Sequence, residues 1–345
     1  MGVLFLTRDF PVKTPPIPGG CAWYRCYLPM HVIGGVLGEP LWTPEWGFGV
    51  KQSDQGLFGN KTVMLKLVMD RSTPHQMREA KKIGQKIIVD VDDFYEGIPE
   101  TNRAFELTDP EKNPNTNRKF YTEVIEEADL VTVSTPFLLE HHSKTHPNVV
   151  MVRNGVYPDM FEQRRHTPAK PVIGWIGAVP FRGGDLEIMQ DFLPAFLEEH
   201  DLMFHHSGYM PDAPSLAEIV GIPEHRFTQS PIVNMLDYGT QFNFDIGVVP
   251  LSNIPFNEAK STIKGLEYAA SNIPFVASDL PEYRSLSGMG VGRVASTSEE
   301  WTKQLAELLL YKTRKKEAAA QRALVVSDHS ITARGQDWRD ALMKL

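Results

Sequence analysis

Cysteine is nearly absent: Cys21 and Cys26 are the two in 345 residues, too few for a disulfide framework, and no Cys/His cluster has zinc-site spacing. Positive charge is not in excess. Lys and Arg number 35 against 43 Asp and Glu, a formal net charge of −8. That excludes a protein coating nucleic acid through a basic surface, while leaving room for a local basic cleft. Long apolar runs are missing too. The opening MGVLFLTRDF meets Arg8 and Asp9 after a few apolar residues, too soon for a signal h-region or a membrane span. Leu6 stands where N-myristoylation expects Ser or Thr. These absences imply a cytoplasmic protein. Internal repeats and low-complexity tracts are also lacking.

What is present is an ordinary globular composition, 42% hydrophobic and 23% charged, on a chain of about two domains' length. Short β-branched runs predict strands at 3–7, 62–69, 86–91, 130–134, 149–152, 171–177, 202–208, 244–251, 274–278 and 291–295. Amphipathic segments at 75–84, 116–128, 185–200, 258–271 and 298–324 predict helices between them. This alternation implies βαβ units and parallel sheets covered on both faces. It is interrupted at 153–170, a polar, turn-rich stretch with two prolines that reads as an interdomain linker. The expected architecture is therefore α/β, with two Rossmann-like domains facing each other across a cleft: 1–160 and 168–328, a C-terminal helix over 331–345 packing back on the first. Long irregular segments at 8–24 and 94–115 follow strands, where open α/β sheets place their ligand-binding loops.

The window 244–283 carries most of the chemistry. Lys260, Lys264 and Glu267 fall at i, i+4 and i+7 on one helix face, with Ser261 and Thr262 in the first turns. Unpaired amides and the positive end of the helix dipole suit a diphosphate there, and Glu267 is placed to accept from vicinal sugar hydroxyls. A solvated face with a Lys264–Glu267 surface pair is the alternative that this window leaves open.

The same window resembles the signature of GT-B glycosyltransferases, specifically the retaining, nucleotide-sugar-dependent group known as family four. The matching residues are Asp245 to Gly247, Pro250-Leu251, Pro255 to Asn257, Lys260-Ser261, Lys264, Glu267 to Ala269 and Pro274 to Ser278. Asn154 to Val156 with Phe161 is similar to the family's linker, and Ile173 to Gly177 to its first donor-domain strand and glycine turn. Ala128-Asp129 with Val131 to Ser134 resembles a late acceptor-domain strand. Gly19-Gly20, Tyr24-Arg25 and Pro29 resemble the acceptor-domain glycine loop. In flavour the chain is closest to phage and bacterial members.

The resemblance implies a metal-independent, retaining transfer from a UDP- or GDP-linked sugar, attacked from the front face by an acceptor hydroxyl, with no other cofactor. It implies Arg182 and Lys260 at the leaving diphosphate, Gly177, Ser261, Thr262, Lys264 and His206 around the donor, and Glu267 at the ribose. Gly19, Gly20 and Arg25 would line the cleft from the acceptor domain. Two departures stand out. The family's first glutamate, separated from the second by seven intervening residues, is replaced by Ala259, with Glu258 one place away and rotated by about 100°. No Lys follows Arg182 where the family has one, so Lys260 is expected to supply the second positive charge. A non-catalytic sugar-nucleotide binder and another GT-B activity, such as an epimerase, remain the alternatives.

Asp90 to Asp93 reads DVDD, and Asp-x-Asp holds a divalent ion in another glycosyltransferase class. Here it ends a strand of the first domain. Asp92 and Asp93 are expected on the acceptor side, binding hydroxyls or acting as a base, with loop capping the competing reading. His141-His142 is expected to be solvated. Trp23, Trp42 and Trp46 suit either stacking on an acceptor or ordinary packing. As far as the residues speak, the acceptor is a small glycan, a lipid-linked sugar, a protein or a modified DNA base.

Overall fold

Strands such as Val3–Thr7, Leu130–Val133, Ile246–Val249 and Phe275–Ser278 are buried at every position, which continuous apolar runs achieve only in a sheet covered on both faces. The structure is a computed structural model describing residues 2–51, 57–59, 61–161 and 170–345. All ten expected strands are present. They fall into two six-stranded, all-parallel sheets. The first runs Val149–Met151, Leu130–Val133, Lys86–Val91, Thr62–Lys66, Val3–Thr7, Gly35–Gly38. The second runs Phe227–Pro231, Met203–Tyr209, Val172–Ile176, Ile246–Val249, Phe275–Ser278, Arg293–Ala295.

Both are Rossmann-like, and in each the strand that opens the unit lies inside the sheet, flanked on both sides by later strands. Strand order reverses there, so the crevice outside its carboxyl end is the natural ligand site. For the first sheet that end leads into 8–19; for the second it leads into Gly177.

Several elements differ from expectation. The two strands that complete the sheets, Gly35–Gly38 and Phe227–Pro231, are edge strands whose glycine-rich and polar sequences carry no apolar run. The strand from Thr62 stops at Lys66 because Leu67 takes a left-handed conformation, φ 56°. Segment 8–24 contains a small hairpin, Val12–Lys13 with Pro16–Ile17, and then a helical turn continuing as a π-helical turn, Trp23–Tyr27. Of the expected linker, 162–169 lies outside the described residues.

The helix expected over 258–271 is broken into Pro255–Glu258 and Ile263–Ala270. In a continuous helix the Ala259 carbonyl would accept from residue 263; here it accepts from Thr135 Oγ1 of the first unit at 2.9 Å. Phe256 and Ala259 are buried in the apolar cluster that also holds Tyr95, Ile98 and Leu138. The first turn is thus docked on the opposite sheet's side, and the chain restarts its helix at Ile263.

Helix Ile331–Leu342 packs against Leu28–Ile33, with Trp338 buried and Arg339 donating to the Val32 carbonyl at 2.7 Å. Just before it, Val156 N donates to His329 O at 3.0 Å and Ile331 N to Val156 O at 2.7 Å. The two segments that cross between the sheets are therefore hydrogen-bonded to each other. No helix among the described residues is long and apolar enough to cross a membrane.

Candidate active site

A cavity of about 290 Å³ opens between the facing strand ends. Gly177, directly after Val172–Ile176, and Asp92 and Asp93, directly after Lys86–Val91, lie in its wall. So do Gly20, Arg182, Lys260, Ser261, Lys264 and Glu267. These nine come from both sheets and all were candidates from sequence. Tyr24, Asn154, Tyr238 and Tyr283 line the cavity too, and sequence reasoning gave them no role. Tyr24 and Asn154 lie inside motifs that carried the family resemblance; Tyr238 has no comparable signal.

The cations are arranged unequally. Lys260 Nζ sits 3.0 Å from Asp93 Oδ1 and 4.0 Å from the centre of the Phe256 ring. Lys264 Nζ donates to the Ile176 carbonyl and lies 5.2 Å from the Trp175 ring. Burial, and then the nearby Arg182 charge, pull the Lys264 pKa down to about 7. Arg182 is half-buried, and its guanidinium makes no ion pair or hydrogen bond among the described residues. Its loop is held from the other side of the cleft. Asn102 Nδ2 donates to the Phe181 carbonyl at 3.0 Å and Thr101 Oγ1 to the Gly183 carbonyl at 3.3 Å. A Cβ at Gly183 would meet the Thr101 carbonyl oxygen at 2.5 Å, so only glycine allows this approach.

Helix Ile263–Ala270 begins at Thr262 with no side-chain cap, leaving its first amides available at the cavity. Ser261 Oγ accepts from Asn154 Nδ2 at 2.8 Å, so its own hydroxyl hydrogen is free to point elsewhere. Thr262 itself is not in the cavity wall. Lys264 and Glu267 share a face of this helix, as their spacing requires, whereas Lys260 lies before it rather than on it. Glu267 is 4% exposed; Oε1 accepts from Tyr24 at 2.5 Å and Oε2 from Tyr238 at 2.9 Å. Burial raises its pKa against the opposing pull of Lys264 and the two phenols.

Three candidates sit elsewhere than expected. Arg25 is fully buried: its guanidinium pairs with Asp90 at 2.6 Å and donates to Val152 O at 2.6 Å and Asn154 Oδ1 at 3.0 Å. It also lies 4.8 Å from the Trp338 ring. Its place beside the glycine loop suggested a cleft residue, but the buried charge of Asp90, 65 positions on, draws it inward. His206 is likewise buried, with Nε2 2.9 Å from the Gly177 carbonyl and its ring against Trp175. Burial lowers its pKa to about 4, so it is a neutral strut behind Gly177. Gly177 has φ +153° and would place a Cβ 2.8 Å from the Trp175 ring. Gly19 lines an adjoining cavity of about 240 Å³ that shares Gly20, Gly177 and Tyr238 with the first.

The carboxylates of the DVDD segment are each met by a cation. Asp90 is held by Arg25 and Lys66, Asp92 by Lys66, Asp93 by Lys260. Among the described residues no group of three or more His, Cys, Asp or Glu side chains is placed to hold a metal ion. Trp23 is buried against Tyr27 and Trp46 is exposed; no tryptophan lines the 290 Å³ cavity. His142, expected in solvent, is buried, and that burial lowers its pKa to about 4.

No protein-family model matches the chain. It is 26% identical over 174 residues to TuaH of Bacillus subtilis (strain 168), named as a teichuronic acid biosynthesis glycosyltransferase. That match covers 46% of this chain and 42% of the relative, so the chain spans less than half of TuaH. Sucrose-phosphate synthase from Thermosynechococcus elongatus superposes with a TM-score of 0.66 at 10% identity, over 100% of this chain and 99% of that one. Anabaena Alr3699/HepE in complex with UDP-glucose superposes with a TM-score of 0.65 at 11% identity, over 100% of both chains. Trehalose-6-phosphate synthase OtsA gives 0.62 at 12% identity, over 99% of both. At such identities the likeness establishes the fold.

Proposed function

We propose that this GT-B protein, with its two Rossmann-like sheets facing across a cleft, moves a sugar from a nucleoside-diphosphate sugar to a hydroxyl acceptor, with retention and without a metal ion. One observation carries the reading: Arg182, Lys260, Lys264 and the uncapped start of helix Ile263–Ala270 converge on a single cavity between the sheets. On this reading 168–328 is the donor unit, and 1–160 with helix Ile331–Leu342 the acceptor unit.

As the bond from sugar to diphosphate breaks, negative charge grows on the leaving phosphate. Preorganised cations and amides at that point stabilise the transition state without reorganising. Among the described residues Arg182 is the cavity cation with no ion pair or hydrogen bond, so it meets the leaving group directly. Lys260 gives up Asp93 to do so, and Ser261, Thr262 and Gly177 shape the amide cradle. Glu267 anchors the nucleoside through its ribose, whose base then falls toward the adjoining 240 Å³ cavity near His206. Gly20, Asp92 and Asp93 face the donor from the acceptor unit, Asp92 paired with Lys66. With all three DVDD carboxylates engaged by Arg or Lys, they are poorly disposed to hold a divalent ion, which supports a metal-free leaving group. The acceptor is a glycan, a protein or a modified DNA base. TuaH is named for teichuronic acid biosynthesis. Alr3699/HepE was solved with UDP-glucose, which favours a UDP-linked donor here.

The test is a screen of UDP-, GDP- and ADP-sugars for slow hydrolysis, beside thermal stabilisation by the free diphosphates. A ligand at 100 times its Kd adds about 2.7 kcal/mol of stability. Hydrolysis of one donor class that survives chelator is expected. Stabilisation without any turnover would instead favour a non-catalytic sugar-nucleotide binder, the reading that Ala259 in place of the first glutamate supports.

A pH dependence follows from Lys264. Because burial and Arg182 bring its pKa down to about 7, the ammonium form that attracts a diphosphate predominates below pH 7 and is lost as pH rises through it. Affinity for an intact UDP-sugar, whose doubly esterified diphosphate does not titrate in this range, is expected to fall between pH 6.5 and 8.5, by at most about tenfold per unit for one proton. Isothermal titration across that range checks it, and Lys264→Met should flatten the profile.

A further inference from the structure

Glu267, the carboxylate assigned above to the ribose, is already engaged, and by both lobes. Tyr238 belongs to the same unit as Glu267 and donates to Oε2 at 2.9 Å. Tyr24 belongs to the opposite unit, on the π-helical turn Trp23–Tyr27, and donates to Oε1 at 2.5 Å. Its ring is 7% exposed and stands in the cavity wall beside Gly20 and Cys21. Tyr238 stays with Glu267 however the lobes are placed. Tyr24 reaches it only when they are together.

We infer that Tyr24 is a positioning residue that occupies the nucleoside's place on Glu267 when no donor is bound, and that the vicinal hydroxyls of the incoming ribose displace it. The inference rests on the donor reading above and adds a competition to it. With the site empty, a buried carboxylate without donors would be costly, and the Tyr24 phenol meets that need while tying the lobes together. A ribose hydroxyl donating to the same oxygen exchanges one hydrogen bond for another, so part of the nucleoside's intrinsic affinity is spent on parting Tyr24 from Glu267. The return of Tyr24 after transfer favours departure of the nucleoside diphosphate. Tyr24 thereby couples lobe closure to an empty nucleoside site, and it contributes to turnover through product release rather than through the reacting atoms.

The experiment compares the dissociation constants of UDP, GDP and ADP for the full chain, for Tyr24→Phe and for Tyr238→Phe. Removing the Tyr24 hydroxyl is expected to tighten the preferred nucleotide about tenfold, equivalent to about 1.4 kcal/mol, and to slow its dissociation. A merely structural tyrosine would weaken binding when altered. Tyr238→Phe is expected to weaken it, because that phenol remains in the occupied site. An affinity for Tyr24→Phe equal to or weaker than that of the parent, in a parent that binds nucleotide, overturns this inference and leaves the donor reading standing. A parent that binds none of the three overturns both. A second measurement needs no variant that loses a contact: 3-fluorotyrosine at position 24 should shift its fluorine resonance on nucleotide saturation, and an unmoved resonance sinks the displacement.

Discussion

Arg182→Ala is expected to lower kcat for sugar transfer or donor hydrolysis by about 10²- to 10³-fold, the loss typical when one preorganised donor to a developing charge is removed. The size follows from its situation. Lys260 is neutralised in part by Asp93 at 3.0 Å, and Lys264 is committed to the Ile176 carbonyl. Arg182 alone among the three brings a guanidinium with no ion pair or hydrogen bond among the described residues. Its neighbours Phe181 and Gly183 are anchored by Asn102 and Thr101 through their carbonyls, so the loop should keep its shape when the guanidinium is removed. Thermal stability should stay within about 0.5 kcal/mol of the parent, as for substitutions that break no buried contact. Single-turnover rates with a saturating donor read the effect directly. A variant that transfers at the parental rate would remove Arg182 from the mechanism and, with it, the electrostatic account of the leaving group.

Arg25→Met should produce the largest loss of stability, about 3–5 kcal/mol, because it strips a buried carboxylate of its main counter-charge. Burial works against ionisation of Asp90, yet Arg25 and Lys66 overcome it and hold its pKa below the ordinary value. With Arg25 gone, Asp90 keeps Lys66 at 3.3 Å and Thr132 at 2.7 Å, while the Val152 carbonyl and Asn154 Oδ1 lose their donor. A drop in Tm on the order of 10 °C is the corresponding shift. Differential scanning calorimetry measures it, and an unchanged Tm would show that the pair is dispensable. The effect should reach the cavity as well. Asn154 also donates to Ser261, so the variant loosens a chain of contacts from the floor of one sheet to the start of the other's helix. Donor affinity should weaken along with stability.

Much of this architecture was legible because parallel strands buried on both faces are largely apolar. Runs such as 130–133 and 246–249 announce themselves without any knowledge of their partners. Edge strands lack that requirement, and Gly35–Gly38 and Phe227–Pro231 passed unnoticed for that reason. Lys264 and Glu267 were placed correctly on one face because three residues on a helix fix their relation locally. The break before Ile263 was not local. It depends on Thr135, 124 residues away, claiming the Ala259 carbonyl. Arg25 departs from expectation for a similar reason: its neighbours in sequence line the cleft, while its charge partner lies 65 positions on, in strand Lys86–Val91. Tyr238 stands on a short 3-10 turn with no periodicity to betray it, and only the folded chain brings it to Glu267. Local patterns therefore located most of the charged residues that line the cavity between the sheets, and long-range pairing decided which side chains face into it.

The hydrogen bonds between Val156 and the 329–331 backbone have a mechanical consequence. A pair of lobes joined by one strand of chain can twist and bend freely about it. Here the outgoing and returning segments are joined backbone to backbone at Val156, so at that point they act as a single pin. The lobes can swing about the line of that pin, like a book about its spine, but they are poorly able to slide or corkscrew. Side chains on the rim of the mouth should then part over longer paths than those near the spine, and the order in which contacts such as Thr101 to Gly183 and Asn154 to Ser261 separate is set by their distance from it.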